Sequence, residues 1–147
     1  MRRGYRIAAA IAGAAALAAT LVGCAAGSAD RLPAALEEAD DRVTAVETST
    51  GYEGFAQYLS VGVDIDDDSM TEAQLRAMLT VIADNAGSGF ERISLGVRDG
   101  RRPGVHEGYI DLGGLAEQLG LPLADDDTSI LIKIMWDDLV AARAGWE

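Results

Sequence analysis

The 147-residue sequence predicts an α+β domain of ββαββαβ order, with helices on one face of a mainly antiparallel sheet. Three observations carry that expectation. Phe55 to Asp66 alternates, setting Leu59, Val61, Val63 and Ile65 on one side and Tyr58, Ser60 and Asp64 on the other. Thr71 and Gln74 have the spacing of a helix capping box, and Leu75, Met78, Leu79, Ile82 and Ala86 continue it as an apolar stripe. Near the C-terminus, Ile130, Leu131, Ile132, Ile134 and Met135 read as a buried strand.

Taken in order, Pro33 ahead of Ala34, Ala35 and Leu36 suits the first turn of a short helix, because proline's missing N–H costs nothing there. Val43 to Thr50 is rich in β-formers, and Gly51-Tyr52-Glu53-Gly54 reads as the turn of a hairpin leading into the Phe55 strand. Met70 and Leu75 hold the positions of a hydrophobic staple around the capping box, and Gly87 supplies a stop. Phe90 to Arg98 is the next strand, with Ile93, Leu95 and Val97 inward. After a broad turn from Asp99 to Gly104, Val105 to Ile110 is expected to return as a strand. Asp111 caps a helix through Leu115 and Leu119 that ends at Gly120, and a last helix begins at Asp137. From Phe55 onward the order β-α-β-β-α-β resembles the ferredoxin-like split, with the Val43 strand as an extra N-terminal edge.

The first 23 residues have the tripartite form of an export signal. Arg2, Arg3 and Arg6 are followed by an Ala-rich apolar run from Ile7 to Val22, then by small residues. Leu21-Val22-Gly23-Cys24 reads as a lipobox, with cleavage between Gly23 and Cys24. Residues 1–23 are then a removed signal, 24–41 a lipidated cysteine and tether, and 42–147 a single domain. The motif resembles that of bacterial lipoproteins. The resemblance implies transfer of a diacylglyceryl group to the Cys24 sulfur, a reaction for which a thiol is the best neutral-pH nucleophile. Two or more acyl chains give stable anchoring where one is marginal. The general secretory route is expected, with twin-arginine export the lesser alternative on Arg2-Arg3. Eleven arginines against one lysine, with abundant alanine and glycine, make the chain similar to small actinobacterial lipoproteins, whose anchor holds the domain outside the cytoplasmic membrane.

Removing residues 1–23 takes away three basic residues and no acidic ones. Nine basic and 24 acidic residues remain, a net charge of −15 on 124 residues. Nucleic acid is disfavoured as a partner, because affinity for it comes mainly from cations that neutralise phosphates. Anionic lipid heads repel the same surface, so the membrane is expected to hold the domain through its lipid alone. Cys24 is the only cysteine, so no disulfide can staple the fold.

Candidate chemistry is sparse. Asp64, Asp66 and Asp68 are spaced like the first three ligands of a calcium loop. Ser69, however, stands where the turn needs glycine, and Leu75 where the bidentate Glu belongs. A weak divalent-cation rim is the most these three residues suggest. Asp125-Asp126-Asp127 reads as a solvated loop. His106 is the only histidine, so any Ser-His-Asp or Cys-His mechanism has to use it, and no Gly-x-Ser-x-Gly elbow accompanies it. Gly87-Ser88-Gly89 follows a helix rather than preceding one, unlike a phosphate loop. One histidine without a free thiol argues against zinc, and no cofactor is expected. Tyr52 and Phe55, near the first turn, and Arg101 and Arg102, at a basic turn, are the first choices for partner contact.

The expectation is therefore a membrane-anchored, non-enzymatic module that contacts an envelope protein. A weak divalent-cation or small-ligand binder is the alternative, and a small hydrolase the third, with His106 the residue a histidine-based version needs.

Overall fold

The alternation of residues 56–65 becomes a strand because one side of it is wholly apolar. In the computed structural model, which describes residues 29–87, 89–102, 108–123 and 130–146, Leu59, Val61, Val63 and Ile65 are all buried. This strand, β2 (Ala56–Ile65), lies inside a four-stranded mixed sheet whose order is that of the sequence: β1 (Val43–Glu53), β2, β3 (Arg92–Asp99) and β4 (Ile132–Met135). β1 pairs antiparallel with β2, β2 parallel with β3, and β3 antiparallel with β4.

The described residues open with a 3-10 turn, Ala29–Arg31, and α1 (Leu32–Ala39), with Pro33 in its first turn as the sequence requires. A tight reversal follows, in which the Val43 N–H donates to the Asp40 carbonyl. α2 (Glu72–Asn85) makes the parallel crossover from β2 to β3. Its capping box forms as expected: the Gln74 N–H donates to Thr71 Oγ1, and the Thr71 N–H to Gln74 Oε1 at 2.7 Å. Met70 and Leu75, the staple pair, are both buried. α3 (Gly113–Gln118) and α4 (Trp136–Arg143) complete the chain, and the Gly113 N–H donates to Asp111 Oδ1, so Asp111 does secure the start of α3. α2 touches α1, α3 and α4, so the helices form one layer over the apolar side of the sheet. Leu36, Leu75, Leu79, Ile82, Leu112, Ala116 and Leu139 meet the strand residues in a single core.

The structure corrects the sequence reading in three places. The sheet does not have the ferredoxin-like interleaving, in which a returning strand separates β2 from β3. These two pair directly, from Tyr58↔Arg92 to Ile65↔Asp99. Of the expected Val105–Ile110 strand, residues 105–107 lie outside the described residues, and Tyr109 makes only an isolated antiparallel bridge to Arg98. Pro103 and three nearby glycines suit that stretch poorly to a ladder. With four strands in all among the described residues, β1 is one of the four rather than an addition to a four-strand core. Second, the hairpin turns later and more tightly than expected. β1 runs on through Gly51 and Tyr52, Glu53 faces Ala56, and the turn is Gly54-Phe55. Gly54 has φ of 64°, which an L side chain resists, and this fixes the turn there. Third, the C-terminal apolar run is only half buried. Ile132 and Ile134 face the core, Ile130 and Met135 are exposed, and Trp136 already begins α4.

Candidate functional site

Parallel pairing of β2 and β3 brings their C-terminal ends side by side, next to the N-terminus of α2. In open α/β sheets this is the edge at which ligands are held. Here it carries charged residues from both strands. Asp64 and Arg98 are register partners on the sheet side away from the helices, and they form a two-point pair: Arg98 Nε donates to Asp64 Oδ1 at 2.7 Å and Nη2 to Oδ2 at 2.8 Å. The next register pair, Ile65 and Asp99, faces the helix side.

Asp99 is the most enclosed charged group among the described residues, 2% exposed. Its carboxylate accepts from the Arg101 backbone N–H at 3.0 Å, from Arg101 Nε at 2.9 Å and from Arg101 Nη2 at 3.1 Å. Arg102 Nε lies 3.5 Å from its other oxygen. Hydrogen bonding from the Arg101 side chain holds the Asp99 carboxyl below the usual carboxylate range against the opposing effect of desolvation, helped by the Arg101 N–H and by the charges of Arg101 and Arg102. Arg101 also reaches Asp66 at 3.7 Å and Asp68 at 4.0 Å.

The three aspartates that suggested a cation rim are thus divided. Asp64 lies on one side of the sheet with Arg98. Asp66 and Asp68 lie on the other, and a guanidinium occupies the place between them and Asp99. Among the described residues no group of three or more His, Cys, Asp or Glu side chains is arranged to hold a metal ion. Arg101 and Arg102, expected as a basic spot for an acidic partner, instead neutralise the chain's own carboxylates.

A third ionic group borders this edge. Arg42 donates to Asp40 through Nη2 at 2.6 Å and Nε at 3.0 Å, and to Asp67 through Nη1 at 3.3 Å. The Arg42 side chain lowers the Asp40 pKa, whereas Asp67 is lowered first by the backbone N–H of Ser69. Asp40 and Arg42 sit at the mouth of a cleft of about 300 Å³ between α1, the start of β1 and α2, with Leu36, Val43, Ala77 and Met78 among its lining residues. Small side chains at Ala39, Ala73 and Ala77 leave this space open.

The opposite end of the sheet is different in kind. Tyr52 and Phe55 stand at the hairpin tip, 70% and 106% exposed. Tyr58, on the sheet side away from the helices, lies over Gly51 of β1 and under Arg92 of β3, whose guanidinium carbon is 5.6 Å from the ring centroid. Arg92 Nη2 also donates to Glu53 at 2.9 Å. Glu53, Ala56, Tyr58, Glu91, Arg92 and Met135 surround a shallow depression of about 310 Å³. The four residues chosen for partner contact therefore do not share a surface: Tyr52 and Phe55 mark one end of the sheet, Arg101 and Arg102 the other.

Sequence reasoning missed Asp99, the Asp40–Arg42–Asp67 group and the Tyr58–Arg92 stack. The Arg42 group carried a weak signal in its close spacing, Asp-x-Arg. The others depend on strand register. Gly23, Cys24, His106 and Asp125 to Asp127 lie outside the described residues. No protein-family model, curated protein or solved structure matches the chain.

Proposed function

We propose that this chain is an exported lipoprotein, lipidated at Cys24 on the outer side of the cytoplasmic membrane, whose domain is a non-enzymatic module for contact with another envelope protein. The observation that carries the reading is the lipobox Leu21-Val22-Gly23-Cys24 behind a basic start and an apolar run, with the folded domain under way by Ala29. Among the described residues no helix is long and apolar enough to cross a membrane, and a lipid on Cys24 would supply an attachment by other means. Two features support the interaction role. The charge of −15 draws cationic partners. The sheet side away from the helices is open over β1 and β2, where Ser49, Ser60 and Gly62 leave the backbone approachable, whereas over β3 Ser94 is buried and Tyr109 and Leu131 lie against Gly96.

The cation-binding alternative loses its footing to Arg98 and Arg101, which already pair with the aspartates it needs. The lipoprotein reading is tested by Cys24→Ser. Mass spectrometry of the native protein should find a diacylglyceryl-modified residue 24 at the N-terminus, and the variant should leave the membrane fraction. Retention of lipid label and of membrane association in the variant would overturn the reading.

A further inference from the structure

We propose that the β1–β2 hairpin tip, through Tyr52 and Phe55, rests in the interfacial layer of the same bilayer that holds Cys24, so that the domain touches the membrane at two points. This rests on the lipidation reading above.

Three observations converge on the tip. The first is exposure. Of the five large hydrophobic side chains exposed among the described residues, Tyr52, Phe55 and Met135 all belong to this end of the sheet. Phe55 occupies a turn position beyond the last strand pair, with no packing of its own, a site where a polar residue costs nothing. Aromatic rings suit the headgroup level of a bilayer, where one part of the ring is apolar and the surroundings are wet.

The second is rigidity. The tip is braced by the ladder Gly51↔Tyr58, Tyr52↔Gln57 and Glu53↔Ala56, by Tyr58 over Gly51, and by Arg92 donating to Glu53. A braced aromatic pays little ordering entropy on insertion. The Arg92–Glu53 pair also removes one of the two glutamate charges nearest the tip, leaving Glu91. Anionic headgroups are therefore opposed less here than the charge of the whole domain suggests.

The third is reach. From Val43 to Glu53 the strand advances about 33 Å at roughly 3.3 Å per residue. α1 follows the reversal at Asp40 and packs on β1; laid back along the strand, α1 and the 3-10 turn before it would return roughly 16 Å of that length, at about 1.5 and 2.0 Å per residue. In that arrangement Ala29 lies about halfway along β1, some 17 Å short of the tip. Five peptide links join Cys24 to Ala29, and fully extended they span about 17 Å. The tether is just long enough for the lipid and the tip to meet one membrane plane, with the strand axis upright.

The test uses Phe55→Trp in the full chain purified from membranes and placed in phosphatidylcholine vesicles with bromine-labelled acyl chains. Emission is read as the increment over wild type, whose Trp136 and Trp146 supply the background. The increment from Phe55→Trp should shift to the blue and be quenched at least twofold, whereas that from Glu38→Trp, exposed on α1 near the other end of the sheet, should be unaffected. Equal quenching of the two increments, on a chain that mass spectrometry shows to be lipidated, would overturn the tip contact and leave the anchor standing. An unmodified Cys24 would instead remove the anchor reading. The same chain, coupled through that single thiol to maleimide-headgroup lipid, then still decides whether the tip touches the bilayer. Shielding of the introduced indole of Phe55→Trp in native membranes but not in protein-free vesicles would assign the tip to a protein and overturn the proposal.

Discussion

Gly51 and Tyr58 make a cross-strand unit that can be taken apart by substitution. A methyl group on Gly51 would fall inside the Tyr58 ring. Because the atoms it meets belong to the far end of a side chain, the ring can swing away, and the cost is what the ring gives up by moving. That loss comprises the Arg92 stack, worth about 0.5–1 kcal/mol, and the strain of repacking, about 1–3 kcal/mol. Against it stands the gain of replacing a strand glycine by alanine, about 0.5–1 kcal/mol. Gly51→Ala should therefore destabilise by about 0.5–3.5 kcal/mol in the wild-type background. In a Tyr58→Ala background both the clash and the stack are gone, and the same change should stabilise by about 0.5–1 kcal/mol. The sign reversal implies a coupling of about 1.5–4 kcal/mol, read by urea unfolding of the four variants as a double-mutant cycle. A coupling within about 0.5 kcal/mol of zero would mean that the two residues act independently, and the account of a braced tip would fall with it.

Two further outcomes follow from the ionic edge. The Asp99 pKa lies below the usual value of 3.8 in the folded state, so the pairing contributes stability that is present above 3.8 and lost as pH falls through the lowered value. Asp99→Asn should melt below wild type at neutral pH, the gap closing in thermal scans only under pH 3.8; a gap unchanged through the acid range would refute the assignment. Arg101→Gln should free Asp66 and Asp68, leaving Asp99 with Arg102, and create a response to millimolar calcium in the amide shifts of residues 66–69, where wild type shows none. An equal response in both would return the site to the cation reading.

How much of this was legible in the sequence depends on whether the signal is local. β2 and α2 were readable because their determinants lie within a few residues of each other: alternation for one, a cap and a stripe for the other. The hairpin turn was misplaced because Gly51 looks like a turn residue in one dimension. Its reason for being glycine is Tyr58 on the facing strand, seven positions on and across the ladder. The C-terminal run misled in the opposite way, since apolar composition does not say which of Ile130, Ile132, Ile134 and Met135 face inward. The Asp64-x-Asp66-x-Asp68 spacing is a local pattern with a non-local meaning. Only the parallel register of β2 and β3 puts Arg98 beside Asp64 and brings Arg101 within reach of Asp66 and Asp68.

The ion pairs also set what the surface presents to its surroundings. Arg42, Arg76, Arg92, Arg98, Arg101, Arg102 and Arg143 are all paired with carboxylates of the same chain. Arginine here is committed to the chain's own carboxylates, although Arg101 and Arg102 stay half to two-thirds exposed. The acidic excess is therefore spread over the surface with few cations among it, which gives a long-range field that favours cationic partners and weakens with salt. Short-range contact is left to side chains that carry no charge. The largest of these stand at the hairpin tip, at the far end of the sheet from the Asp99–Arg101 edge. A molecule whose ionic groups are closed on themselves at one end and whose aromatic groups are open at the other has a built-in direction, and an anchor that reaches the level of the aromatic end would turn that direction into an orientation at the membrane.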